Sequence, residues 1–214
     1  MSKRNYTPLD QLVMNLDTSL RSLFGKPRLT ERGNPAHAHT EAELSEAERE
    51  LAGRLMRINH AGEVAAQGLY QGQALTAKLP KVREKMQRAA KEENDHLHWC
   101  EQRLKEMGTH VSYLNPLWYG ASMTIGALAG LAGDKWSLGF VAETENQVVH
   151  HLDSHLQQIK LDDQKTRAIL EQMKTDEGQH ANMALEAGGT PLPGAIKNMM
   201  KLTSRVMTRT AWWV

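Results

Sequence analysis

Two strings, Glu93-Asn-Asp-His96 and Glu177-Gly-Gln-His180, each follow a lone glutamate, Glu63 or Glu145, by about thirty residues. Residues three apart on an α-helix share a face, so each string aims a carboxylate and an imidazole in one direction. That direction is inward. Val82, Met86, Ala89, Leu97, Cys100, Leu104 and Met107 form a helical face with Glu93 and His96 in its middle. Leu170, Met173, Ala181 and Ala184 surround Glu177 and His180 in the same way. Leu138, Ala142, Val149, Leu152 and Leu156 surround Glu145, whereas Glu143 points to the far side. Glu63 is less central, at the edge of a stripe of Leu55, Asn59, Gly62, Ala66, Leu69 and Tyr70. A carboxylate on an apolar face needs a partner, so the chain must fold in a way that supplies one to each.

The helices can be placed from their punctuation. Ser45 with Glu48 reads as a capping box that opens a helix to about Ala77, and Pro80 marks the break after it. A second helix runs to about Met107, and a third lies within 111–133, a segment rich in Gly and Ala that carries no charge. Ser137 can cap a fourth helix reaching about Lys160. The pair Asp162-Asp163 suits the start of a fifth ending at Gly188-Gly189, and Pro191 and Pro193 introduce a last one. At the front, Leu9, Leu12, Val13, Leu16, Leu20, Leu23 and Phe24 recur at helical spacing behind Thr7 and Pro8. Residues 26–40 read as a linker in which His37 and His39 are solvated. No stretch alternates as a strand should, so the fold class is all-α, with an N-terminal amphipathic helix and linker over 1–40 and one helical domain over 41–214.

Spacing tests the pairing independently, because antiparallel helices bring residues level when these are equidistant from the turn. Glu63 and Glu93 have their midpoint at Lys78, beside Pro80, and Glu145 and Glu177 have theirs at Leu161, beside Asp162-Asp163. One Glu from each of two helices and Glu-x-x-His from each of two others is similar to the ligand set of ferritin-like di-iron and di-manganese proteins. The expectation is a ferritin-like four-helix bundle with additional apolar and terminal helices. Glu63, Glu93, His96, Glu145, Glu177 and His180 would be its metal ligands. Hard carboxylate oxygens with one imidazole per metal suit iron or manganese, and two iron ions per chain are expected. A single core Glu–His pair is ordinarily just hydrogen-bonded, but four carboxylates facing one core are costly without cations. Asn59 and Tyr70 fall near Glu63, either as partners of its carboxylate or as ordinary packing. His150 and His151 read as surface or supporting residues, and Cys100 as a buried small side chain.

The totals narrow the alternatives. A formal net charge of +1 argues against nucleic-acid binding. The single cysteine, Cys100, rules out an internal disulfide framework and fits a reducing compartment. The first residues lead into regular Asp and Arg, with no apolar secretion or targeting signal.

The segments Arg57-Ile-Asn-His-Ala-Gly-Glu63, Glu92-Glu93-Asn-Asp-His96-Leu, Glu145 ahead of His150-His151, and Asp176-Glu177-Gly-Gln-His180 together resemble the demethoxyubiquinone hydroxylase family of ubiquinone biosynthesis. The resemblance runs from about Glu50 to Gly188, and Asn59-His-Ala-Gly-Glu63 is its most specific part; the family commonly has Asp where Asn59 stands. It implies a monooxygenase that uses O2 at two iron ions to hydroxylate the ring of a polyprenylated demethoxyubiquinol. Other ubiquinone-biosynthesis proteins are its expected partners. No Gly-x-Gly-x-x-Gly or flavin motif is visible, so the reducing equivalents must come from the quinol, a small reductant or a partner. The competing function is a ferritin-type ferroxidase or iron-storage protein, and a third is a non-catalytic helical protein of the membrane surface.

The last expectation concerns location. Residues 111–133 are long enough to cross a bilayer, but Asn115, Pro116 and the many Gly and Ser residues make them a poor span. From Ala187 to Val214 there are basic but no acidic residues, with Lys197, Lys201, Arg205 and Arg209 along one helical face. Ile196, Met199, Met200, Val206, Met207 and Val214 occupy the other, and Trp212 and Trp213 close the chain. Peripheral attachment to the cytoplasmic face of a cell membrane is expected. A helix packed on the bundle with a solvated basic face is the competing reading.

Overall fold

In a computed structural model, which describes residues 10, 13, 17, 19–21, 23–25 and 32–214, six α-helices follow a short 3-10 turn at Pro35–Ala38. They are α1 (Glu46–Thr76), α2 (Pro80–Glu106), α3 (Asn115–Leu131), α4 (Asp134–Gln158), α5 (Gln164–Glu186) and α6 (Gly194–Ala211). No strand occurs among the described residues. Thr7, Pro8, Leu9, Leu12 and Leu16 lie outside them, whereas the described residues between 10 and 24 are helical.

Two hairpins, α1–α2 and α4–α5, make the four-helix core. The capping box at the start of α1 is formed in both directions, with the Glu48 amide donating to Ser45 Oγ (3.3 Å) and the Ser45 amide donating to Glu48 Oε2 (2.8 Å). Asp163 caps α5 by accepting from the Thr166 amide at 3.1 Å. Pro80 ends nothing by force; it occupies the first turn of α2, where a missing N–H costs no helical bond.

One cap differs from expectation. α4 begins at Asp134, not after Ser137, and Ser137 is fully buried within the helix. Gly133, at φ 115°, turns the chain sharply from α3 into α4. The Asp134 carboxylate then accepts from the amides of Lys78 (3.0 Å) and Leu79 (2.8 Å). This ties the α3–α4 corner to the α1–α2 turn.

The uncharged third helix lies along α1 so closely that glycines are required. A Cβ built on Gly72 would sit 2.1 Å from the Met123 carbonyl oxygen, and one on Gly126 would sit 2.2 Å from that of Leu69. Tyr119 of α3 donates to Gln71 of α1, and Leu23 packs beside Tyr119, Val64 and Leu97. α1 is therefore buried on two sides, by the bundle and by α3. The outward face of α3 leaves Leu117, Leu128 and Leu131 exposed.

A polar knot holds the opposite end. The buried Arg103 guanidinium bonds Asp163 Oδ1 (2.8 Å), Thr166 Oγ1 (2.8 Å), and both carboxylate oxygens of Glu41 (2.8 and 2.9 Å). Hydrogen bonding from Arg103, opposed by partial burial, draws the Glu41 carboxyl down to about 2. Residues just before α1 are thereby clamped to the end of α2 and the start of α5.

Gly72→Ala is expected to lower stability by about 1–3 kcal/mol, the usual cost of forcing extra volume into a packed seam. Thermal unfolding measures this. An unchanged midpoint would show that α1 and α3 are not in contact through Gly72.

Candidate metal centre

Each hairpin delivers its pair at matching height, as the midpoint argument requires. The result is a closed polar group in the middle of the bundle, in which Glu63, Glu93, His96, Glu145, Glu177 and His180 are all buried. Glu63, Glu93, His96 and Glu177 each offer one ligand atom, all within 4.8 Å of one another.

The second half is arranged around the same two carboxylates. His96 Nδ1 lies 3.1 Å from Glu93 Oε2 and 3.0 Å from Glu177 Oε1. His180 Nδ1 lies 3.4 Å from Glu93 Oε1 and 3.1 Å from Glu177 Oε2. Each central carboxylate thus turns one oxygen towards each histidine, which is the disposition a bridging ligand needs. Glu63 lies on the His96 side, with Oε2 3.6 Å from Nδ1. Glu145 is the sixth member, and the Tyr70 hydroxyl donates to its Oε1. Tyr70 therefore supports Glu145 and not Glu63. Asn59 contacts Met56 Sδ (3.9 Å), which is packing, and its neighbour His60 pairs through Nδ1 with Asn115 of α3 (3.3 Å).

Electrostatics show what such a group demands. Burial and the adjacent Glu93 push the Glu63 carboxyl well above its ordinary range. Burial and the charges of Glu177 and Glu93 do the same to Glu145. Burial also opposes ionisation of Glu93, but hydrogen bonds from His180 and His96 outweigh it and hold this carboxyl well below its usual value. Burial disfavours a charged His180, yet Glu177 and Glu93 overcome it and raise the imidazole to about 12. His96 is likewise raised against burial by Asp176, Glu177, Glu63 and Glu93. Without cations, the group gathers protons. Glu93 Oε1 has only the long approach of His180 Nδ1, at 3.4 Å, and no well-aligned donor. Four carboxylates and two neutral imidazoles match the charge and hardness of two divalent ions, which would displace those protons.

The outer nitrogens reveal residues that sequence reasoning passed over. His96 Nε2 lies 2.9 Å from Asp176 Oδ2, and His180 Nε2 lies 2.7 Å from Glu92 Oε2. Each acid immediately precedes the ligand-type glutamate of the opposite string, so the two motifs brace each other's histidines. A carboxylate there fixes the Nε2–H tautomer and leaves Nδ1 free to bind a metal. The repeated acid-Glu-x-x-His pattern was the available signal. His150 is exposed, whereas His151 is partly buried and stacks edge-on against buried His155 with ring centres 4.0 Å apart. Cys100 is buried, with Sγ 3.7 Å from Met173 Sδ.

A cavity of about 50 Å³ adjoins the His180 half, walled by Tyr70, Met86, Leu138, Val141, His180 and Met183. The space has room for a few molecules the size of water, and O2 is of that size. A larger open dent between α4 and α5 includes none of the six central residues.

Glu93→Ala and Glu177→Ala are each expected to abolish paired binding of two ions, because each removes a group shared by both histidines. Elemental analysis of the purified variants checks this, and unchanged metal content in both would dissolve the assignment.

Comparison with known proteins agrees with the sequence resemblance and extends it. The family described as "Ubiquinone biosynthesis protein COQ7" matches residues 50–211, which takes in α6. A 3-demethoxyubiquinol 3-hydroxylase of Nitrosococcus oceani is 61% identical over 214 residues, covering 100% of both chains. Proteins of the same name from Stutzerimonas stutzeri (56% over 211 residues, 99% of this chain and 98% of that one) and Acinetobacter baumannii (57% over 212 residues, 99% and 100%) are also similar. Residues 1–40 thus fall within the likeness to relatives, although outside the family match. A helical bundle centred on paired acid-Glu-x-x-His strings, matched along nearly its whole length, makes this chain a member of the COQ7 family of ubiquinone biosynthesis proteins.

Proposed function

We propose that this chain is a 3-demethoxyubiquinol 3-hydroxylase that uses two iron ions and O2. The observation that carries the reading is the placement of Glu93 and Glu177, each with one oxygen towards each histidine. Glu63, Glu93, His96, Glu145, Glu177 and His180 would hold the two ions, with Glu93 and Glu177 placed between the two histidines. When bound there, two ferrous ions would supply the activation of O2, of which one atom goes to a ring carbon and the other to water, with two electrons and two protons taken up.

The chain's own residues set the conditions. Asp176 and Glu92 hold the imidazoles in the metal-binding tautomer. Tyr70 fixes the rotamer of Glu145 at the edge of the cavity. Met86, Leu138, Val141 and Met183 give that cavity a largely apolar lining, with Lys85, Arg88 and Glu92 also contributing to its wall. Electrons come from the quinol, a small reductant or a partner protein. Turnover under ¹⁸O2 with a demethoxyquinol is expected to place one labelled oxygen on the ring, read by mass spectrometry; label confined to water would favour an iron-oxidising, storage-type role.

The proposal extends to location. Among the described residues, no helix is long and apolar enough to cross a membrane. α6 is packed on one side only: Lys197 pairs with Glu143 at 2.7 Å, Arg57 donates to the Trp212 carbonyl at 3.4 Å, and Ala211 is buried. On its outer side Met199, Leu202 and Val206 form an exposed stripe at i, i+3 and i+7, beside exposed Lys201, Arg205 and Arg209. Leu79, Leu128, Leu131 and Trp136 are exposed at the end tied together by Asp134. An apolar stripe flanked by cations suits the interface of an anionic membrane, the phase in which a polyprenyl quinol dissolves. The full chain is expected to float with anionic liposomes and to be released by salt, which screens the cationic part of the attraction. Sedimentation without the liposomes at low salt, or resistance to carbonate extraction from native membranes, would count against peripheral attachment.

A further inference from the structure

His96 and His180 are braced by the same chemistry, but the braces differ in what stands behind them. Glu92, behind His180, is partnered at 2.9 Å by Arg88 Nε, four residues earlier on the same helix. The Arg88 side chain is 77% exposed, and an exposed i, i+4 pair of this kind contributes little. Asp176, behind His96, is only 8% exposed, and its partner comes from a distant part of the chain. Arg32, in the segment ahead of the 3-10 turn, donates from Nη1 to Asp176 Oδ2 at 2.7 Å. That is the oxygen that meets His96 Nε2. Gln172 holds the other oxygen, Oδ1, at 2.9 Å. The guanidinium also lies 5.2 Å from the centre of the Trp99 ring, and that ring lies 5.3 Å from His96 at 49°. Its Nε is 3.6 Å from Asp95 Oδ2.

We infer that Arg32 is a positioning residue for the metal centre, holding Asp176 and Trp99 against His96 so that the His96 half binds its ion more tightly than the His180 half. The inference rests on the metal-centre reading above. Arg32 acts through contacts to its neighbours and touches neither ion nor substrate. By pairing with Asp176 it fixes the carboxylate oxygen that faces His96 Nε2, which orients the imidazole and aims Nδ1 at Glu93 and Glu177. Over Trp99 it closes a second wall of the histidine. A lysine can preserve the charge but not the planar group that reaches a carboxylate and lies over an indole together. Among the described residues no guanidinium lies over an aromatic ring beside His180, and this half borders the cavity. The segment before α1, which reads as a linker from its composition, is therefore part of the site.

The test is anaerobic titration of the full-length, metal-stripped chain with Co²⁺, followed by visible absorbance, with thermal unfolding of the metal-free protein alongside. The wild-type chain is expected to bind two ions in unequal steps. Arg32→Ala should weaken the tighter step towards the lower end of the roughly 10–100-fold loss that follows removal of a ligand's supporting partner. It should leave the weaker step within about twofold, with Arg32→Lys intermediate. Arg88→Ala should leave the tighter step unchanged. Two equal steps in the wild type, or Arg32→Ala constants within about twofold of wild type, would overturn the inference, as would weakening of both steps together with a lowered unfolding midpoint. Absence of any Co²⁺ binding by the wild-type chain would instead remove the metal-centre reading on which the inference stands.

Discussion

Four glutamates share one small volume in the interior of this bundle, and their mutual repulsion is the constraint around which the remaining structure is arranged. Two of them, Glu63 and Glu145, are driven towards their neutral forms by burial and by their neighbours, while Glu93 stays ionised only because two imidazoles face it. An apolar core of the same shape would avoid the cost of burying charge. The group makes physical sense as a receptacle for cations, which replace protons on the same atoms and convert repulsion into ligation. Pairs of carboxylates that destabilise the metal-free protein are what give a metal-loaded one its affinity.

Holding that receptacle together takes contacts between hairpins as well as within them. α1 with α2 and α4 with α5 are joined by short turns and pack along their lengths, so each turn sets the height of its own pair. The seam between α2 and α5 depends much more on polar contacts. His96 of α2 reaches Asp176 of α5, and His180 of α5 reaches Glu92 of α2. Across the seam between α1 and α4, Tyr70 reaches Glu145 and Gln73 donates to the Ser137 carbonyl at 2.9 Å. The site is thus also the fastening of the fold, and loss of one brace would loosen two helices at once.

Much of this was legible because helical periodicity and loop symmetry constrain the same residues independently. The six central side chains were found by asking which Glu and His lie on apolar faces and then checking their distances from the turns. Glu63 falls at the edge of its apolar stripe because α1 has two buried sides once α3 lies against it, and a single stripe does not describe such a helix. Ser137 misled as a cap because Gly133 and Asp134 already start the helix, and that carboxylate is used on a turn more than fifty residues earlier in the chain. Glu92 and Asp176 carry no sign of their role in the periodic pattern, since an acid beside a buried glutamate normally faces solvent. Arg32 left no periodic signal, because a contact spanning 144 residues has no imprint on local pattern.

The two halves of the centre, though built from repeated motifs, face different surroundings. The His96 half is enclosed by Trp99, Arg32 and the buried Asp176. The His180 half leans on a partly exposed Glu92 and meets an apolar cavity whose walls include the second and third turns of α2 and the second turn of α4. Those turns lie at the end of the bundle where Leu79, Leu131 and Trp136 are exposed and where Asp134 binds the two corners together. Under the proposed function, a lipid-soluble ring arriving at that end reaches the His180 half first. Under that reading, a tightly enclosed ion would keep the centre assembled and an ion beside the apolar space would meet O2 and the ring, so the departure from symmetry would serve both needs. The small residues that let α3 lie against α1 contribute to the same end, because they leave the larger apolar side chains of α3 facing outwards.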